Sequence, residues 1–312
     1  MIPRITAVLL MVVCFSAPAF AQSGIYYGTT SNNQIRLLDP TTGATTLVAT
    51  GGLDSQFAYD LFIVNSATNT AYQLGVLNGS HTLESVNLIS GAATYVPFTL
   101  SGTAIFGGFY NNNLIVSTGN QVYSVNTATG GSTLISTGDL STIFLYNKFI
   151  VDSANGMAYQ YGTKNGDNTF VSFNLVTGVA TDFTTNLSGD PIFGGFYNGS
   201  LIVAQGNQIR ALDVTTGNSE AIANGILTTQ STYDKFIVDS TLGLAYQYGT
   251  LSSVNTIETI NLVTGVATTA ASSAPITPNF GGTGTVVPEP SSIALIVAAG
   301  VAFSIYRRSR KA

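Results

Sequence analysis

Between its two ends the chain shows no helical period. Its apolar residues fall in short runs rich in Val, Ile, Tyr and Phe, bounded by Gly, Asn, Asp and Ser; Asn113-Leu114-Ile115-Val116-Ser117, Gln121-Val122-Tyr123-Ser124-Val125 and Ser132-Thr133-Leu134-Ile135 are examples. β-branched and aromatic side chains suit a pleated, half-buried surface, and small polar residues punctuate turns. The pattern therefore predicts an all-β body built of many short strands.

The pattern also repeats. Phe62-Ile63-Val64-Asn65 returns as Phe149-Ile150-Val151-Asp152 and Phe236-Ile237-Val238-Asp239, each time 87 residues on. Ala71-Tyr72-Gln73, Ala158-Tyr159-Gln160 and Ala245-Tyr246-Gln247 keep the same step. So do Gln34-Ile35-Arg36, Gln121-Val122-Tyr123 and Gln208-Ile209-Arg210. Glycine-ended turns divide each unit in two: Gly43, Gly91, Gly130, Gly178, Gly217 and Gly265 are spaced alternately 48 and 39 residues apart. A four-stranded propeller blade takes roughly 40–50 residues. The expected fold is an all-β, six-bladed β-propeller made of three 87-residue double-blade repeats. A β-solenoid or an array of small sandwiches is the alternative, and the alternating spacing favours the closed ring.

The phase of the repeat bears on closure. Ile105-Phe106-Gly107-Gly108 and Ile192-Phe193-Gly194-Gly195 each begin a unit, and a third copy, Asn279-Phe280-Gly281-Gly282, stands alone near the C-terminus. One step before Phe106 lies Ala19, outside the body. The first blade thus lacks its opening strand, and the segment around Phe280 is expected to supply it, whether as the innermost or the outermost strand.

The two ends have a different character. Residues 1–21 combine Arg4, an apolar stretch from Ile5 to Phe15 and the small-residue pattern Ala19-Phe20-Ala21. That is the layout of a secretory signal peptide for the Sec export machinery, cut between Ala21 and Gln22. Cys14 follows Val12-Val13 rather than a small residue, which argues against a lipoprotein site and for an ordinary apolar position. At the other end, Val287-Pro288-Glu289-Pro290-Ser291-Ser292 precedes an apolar run from Ile293 to Tyr306 and the basic cluster Arg307, Arg308, Arg310 and Lys311. As a helix the run reaches roughly 21 Å at about 1.5 Å per residue, short of the roughly 30 Å hydrocarbon core. It spans a membrane only marginally, with the cations on the cytoplasmic side.

This tripartite ending resembles the PEP-CTERM sorting signals of exported bacterial proteins. The resemblance covers Val287 to Ala312. It implies an exosortase-type processing enzyme as partner, a transient inner-membrane anchor, cleavage near Pro288-Glu289-Pro290, and delivery to the cell surface or exterior of organisms that make exopolysaccharide or biofilm. The expected plan is a signal peptide (1–21), a propeller body (22–287) and a sorting and anchor segment with a short hydrophobic helix (288–312).

Composition limits what the body does. Its cations are Arg36, Lys148, Lys164, Arg210 and Lys235, against fourteen carboxylates, a net charge near −9. That excludes nucleic acid and anionic membrane surfaces as natural partners. The one cysteine leaves with the signal peptide, so no disulfide or thiolate metal site is expected. Thr, Ser, Asn, Gly and Tyr take the place of charge, and such a surface suits hydrogen bonding to neutral polymers.

Chemistry is sought where the threefold pattern breaks. Tyr72, Tyr159 and Tyr246 recur, and are expected to pack between blades; Gly75, Gly162 and Gly249 recur, and are expected at backbone kinks. His81 replaces Asn168 and Asn255 and reads as a surface residue without triad partners. Arg36, Arg210 and Tyr123 read as a solvent face. Asn65, Asp152 and Asp239 end an apolar run and are the candidate channel-lining residues, placed to meet a metal or polar ligand at the axial opening. The plainer alternative, and the favoured one, has them bonding the following turn through Ser153 or Ser240. Asn165-Gly166-Asp167-Asn168 lacks the alternating acids of a calcium loop. With no tryptophan, the chain also lacks the repeats of quinoprotein and sialidase-type propellers. No catalytic residue, metal ligand or cofactor is assigned. The expected function is a non-enzymatic, exported cell-surface or extracellular-matrix propeller that binds exopolysaccharide or an envelope protein. A metal-dependent hydrolase or lactonase with an axial-channel site is the alternative.

Overall fold

The computed structural model describes residues 22–29, 32–57, 61–100, 104–144, 148–230, 235–274 and 278–286, with backbone only at 22, 23, 285 and 286. The expected signal peptide, the Val287-Pro288-Glu289-Pro290 motif and the basic tail at Arg307, Arg308, Arg310 and Lys311 lie outside these residues. The described strands form six antiparallel sheets and no helix. Ser23–Gly284 is one compact unit.

Each sheet is a blade four strands deep. Blade three runs from the inner strand Ala104–Tyr110 through Asn113–Thr118 and Gln121–Val125 to the outer strand Ser132–Thr137. Blade five repeats this as Ile192–Tyr197, Ser200–Gln205, Gln208–Leu212 and Ser219–Asn224. Blades two, four and six differ at the inner position. In blade four two short strands, Thr142–Ile143 and Phe149–Asp152, lie end to end along Met157–Lys164. This interruption consumes the extra residues of the longer 48-residue spacing. Blades of the two kinds alternate around the ring.

The first blade is assembled from both ends of the body. Its order is Asn279–Val286, Gln22–Gly28, Gln34–Leu38, Thr45–Thr50, so the late segment supplies the innermost strand. This settles the position that the sequence left open. Closure leaves the sheet series without a free end blade, which removes the exposed edges that invite association.

Packing follows the same ring. Six apolar clusters fill the six blade interfaces, one of them joining Ile25, Tyr27 and Phe280 of blade one to Tyr246, Tyr248 and Ile257 of blade six. Tyr72 and Tyr159 are buried and meet Phe109 and Phe196 of the next blade at ring-centroid distances of 5.2 and 5.7 Å, the packing role expected of them.

The Phe-Gly-Gly motif has a steric cause. A Cβ on Gly107 would lie 2.4 Å from the ring of Phe149, one on Gly194 2.4 Å from Phe236, and one on Gly281 2.4 Å from Phe62. Strand pairing skips Gly107 and Gly194, a bulge that turns the inner strand against its neighbour. The glycines expected as kinks, Gly75, Gly162 and Gly249, act instead by close approach. Their Cβ atoms would stand 2.1–2.2 Å from the carbonyl oxygens of Ser55, Thr142 and Thr229 on the short inner strand.

Candidate functional site

The axis offers two kinds of space. Phe62, Phe106, Phe149, Phe193, Phe236 and Phe280, one from each blade, line a narrow cavity of about 100 Å³ with their flanking Gly and Ile residues. All six rings are buried, one in each of the six clusters between blades. Where the inner strands end, the axis opens into a wider mouth of mixed lining. One pocket of about 530 Å³ lies between blades two and three, bounded by residues 63–67 and 108–112. A second of about 370 Å³ lies between blades four and five, bounded by residues 151–155 and 195–199. Val151, Ser153 and Val238 border both.

Local sequence fixes the walls. In blades two, four and six the inner strand ends in a carboxylate or amide that holds the next turn. Asn65 Oδ1 accepts from the Ala67 amide at 3.1 Å. Asp152 Oδ1 accepts from the amides of Ala154 and Asn155 at 3.2 and 3.3 Å, and its Oδ2 from Asn155 Nδ2 at 2.7 Å. Asp239 Oδ1 accepts from the amides of Thr241 and Leu242, both at 3.0 Å. Asp152 and Asp239 thus hold the following turn, the favoured reading, through residues two and three positions on. Of the three candidate channel residues, Asn65 and Asp152 border pockets, while Asp239 is buried beneath its turn and borders neither. No three His, Cys, Asp or Glu side chains gather as a metal site among the described residues.

The opposite wall is a hairpin whose tip is Tyr110-Asn111-Asn112 in one pocket and Tyr197-Asn198-Gly199 in the other. Asn111, Asn112 and Asn198 have φ of 47°, 64° and 48°, the left-handed region that asparagine tolerates. Tyr110 rests on Gly156 of the next blade and Tyr197 on Gly243, each within about 3 Å of where a Cβ would stand. The rings are thereby fixed at the rim. Nearby, Tyr159 is pushed up to about 12, first by burial and then by the charge of Asp152, so its phenol stays neutral.

The other sequence-marked residues do not join this site. His81 stands edge-on to Phe57 at 5.1 Å. Arg36, Arg210 and Tyr123 are half-buried rather than a free solvent face, and each bonds a glutamine two residues back: Gln34 at 2.9 Å, Gln208 at 2.5 Å and Gln121 at 2.8 Å.

Buried polar groups between blades escaped the sequence reading. Glu84 and Glu258 are fully buried. Glu84 accepts from the Gly52 amide at 2.6 Å and from Gln73 Nε2. Glu258 accepts from the Ile226 amide, and burial raises its carboxyl above the ordinary range. Lys148 is also fully buried, with Nζ 3.0 Å from Asp190. The one available signal was symmetry: Glu84 and Glu258 share a repeat position with Val171. Tyr110 and Tyr197 broke the pattern in the same way, with Gly284 as the third equivalent.

Comparison with solved structures agrees with this architecture. A chain of a nidogen/laminin complex superposes with a TM-score of 0.62 at 9% identity, covering 84% of this chain and 97% of that one. TolB from Acinetobacter baumannii gives 0.59 at 8% identity, covering 85% of this chain and 66% of that one. A putative 6-phosphogluconolactonase from Bacteroides fragilis gives 0.49 at 12% identity, too distant to carry an argument. At these identities the likeness is one of fold alone. No protein-family model matches the chain, and no curated protein does. The chain is a six-bladed β-propeller.

Proposed function

We propose that this protein is a non-enzymatic binding module, exported and sorted to the cell surface or extracellular matrix, whose ring holds exopolysaccharide or an envelope protein at the axial mouth. The observation that carries the reading is the chemistry of that mouth. Its walls set amides, hydroxyls and tyrosines beside Ile63, Phe109, Val151, Phe196 and Val238, and the Asp152 carboxylate is spent on its own turn. Three accepted donors fill most of that carboxylate's roughly four lone-pair sites. The net negative, cation-poor body favours a neutral partner over a polyanion.

Export rests on the terminal signals: residues 1–21 for secretion, and the Pro288-Glu289-Pro290 motif with its apolar run and basic end for sorting by an exosortase. Two measurements test the reading. The full chain, presented to extracted exopolysaccharide and envelope protein, is expected to retain one of them; retention of neither overturns the binding role. In the producing cell, Pro288→Ala with Pro290→Ala is expected to leave the tail attached and the protein in the membrane fraction. Normal release and an unchanged mass for the released form would overturn the sorting role.

A further inference from the structure

The two mouth pockets are one pocket built twice. Residues 65–67 and 108–112 wall the first, and the positions 87 further on, 152–154 and 195–199, wall the second. Ser66 corresponds to Ser153, Tyr110 to Tyr197 and Asn111 to Asn198. The third sector departs from this. Thr283 and Gly284 stand where the others have Phe-Tyr, and Asn69 stands where they have Gly156 and Gly243 beneath the tyrosines. Two sectors retain a fixed aromatic ring beside an exposed amide and an exposed hydroxyl, and the third has lost the ring and the glycine that seats it.

We propose that the two pockets are equivalent subsites for a neutral glycan chain, each taking sugar units of the same repeating strand. This rests on the reading of the mouth as a binding surface. Asn111, Asn198, Ser66 and Ser153 are exposed and both donate and accept, as sugar hydroxyls require. The tyrosines present carbon faces with a polar tip. Each pocket falls within the range of small-ligand sites, about 300–1,000 Å³. Asp152, held by its own turn, is the one charged side chain among the described residues lining the pockets, so a charged peptide gains little here, and a uronate polymer would meet a negatively charged body. Protein repetition matched to ligand repetition makes the second contact intramolecular, so affinity rises with chain length.

The test uses the full chain and calorimetric titration with neutral hexasaccharides (β-1,4-linked glucose, β-1,4-linked N-acetylglucosamine, α-1,4-linked glucose), their disaccharides, and a hexameric uronate. One neutral hexamer is expected to bind at least about tenfold more tightly than its disaccharide. Asn111→Gly and Asn198→Gly keep the left-handed turns while removing the amides. Each is expected to weaken binding by about fivefold, and the pair by more. His81→Ala, away from the mouth, is expected to change nothing. Equal affinity for hexamer and disaccharide, an unaffected double variant, or binding of the uronate alone overturns the subsites. If the double variant still captures exopolysaccharide or envelope protein as the parent does, the broader binding role stands and the subsites fall. If the parent captures neither, both fall.

Discussion

A glycine, a glutamate and a turn-forming asparagine each act here through what surrounds them. Gly194 is required because the Phe236 ring occupies the space of its side chain, 2.4 Å from a would-be Cβ. Gly194→Ala is expected to cost about 2 kcal/mol of stability through overpacking, seen as a lowered denaturant midpoint. Gly79 has nothing near its Cβ position and φ of +77°, so Gly79→Asn is expected to cost far less. At Glu258 burial raises the carboxyl above its ordinary 4.5, so the folded state prefers the protonated form. The stabilising effect is complete below the unfolded pKa and is lost as pH rises through the raised folded value. Thermal stability is therefore expected to fall over that interval, and Glu258→Gln to flatten the fall; an unchanged slope would contradict it. The residue types were legible in the sequence, but not these roles. A glutamate inside an alternating strand carries no local mark of burial, because the group that buries it sits in another blade.

Strands and turns were far more legible. Asp39, Asn87, Asn126, Asn174, Asp213 and Asn261 each accept amide hydrogens from residues two and three positions on, and a glycine with φ of 71–75° closes each turn. Such turns need only nearby residues, so a single sequence displays them. At Asp213 the Thr215 and Thr216 donors hold the carboxyl down to about 2. Interfaces between elements are where the repeat is uneven. Gln56 Nε2 donates to Gln73 Oε1 and Gln230 Nε2 to Asn207 Oδ1, both at 2.5 Å. The equivalent position in blade four is Ile143, and Asn120 Oδ1 and Gln160 Oε1 are buried there without a partner. Ile143→Gln is expected to restore a donor and raise stability by about 1 kcal/mol, since a buried unpaired acceptor costs about that or more. A lower melting temperature for Ile143→Gln would show that the lost apolar packing outweighs the bond.

For the molecule as a whole, the decisive feature is a ring closed by its last strand. Asn279–Val286 is the innermost strand of the first blade, and Phe280 packs in the interface with blade six. A chain ending before Asn279 is expected to lose cooperative unfolding, whereas one ending at Val287 is expected to keep it; equal melting curves would place the closure elsewhere. The sequence by itself determined the β character, the number of blades, their alternation and the missing opening strand. These follow from period, turn chemistry and length, which are properties of neighbours along the chain. Tertiary structure alone decided that the closing strand is innermost and that the Phe-Gly-Gly glycines seat the next blade's rings. It also decided that Asp239 lies beneath its turn while Tyr110 and Tyr197 stand at the mouth. Those outcomes depend on which residues of different blades compete for the same space, and sequence separation carries no record of that distance.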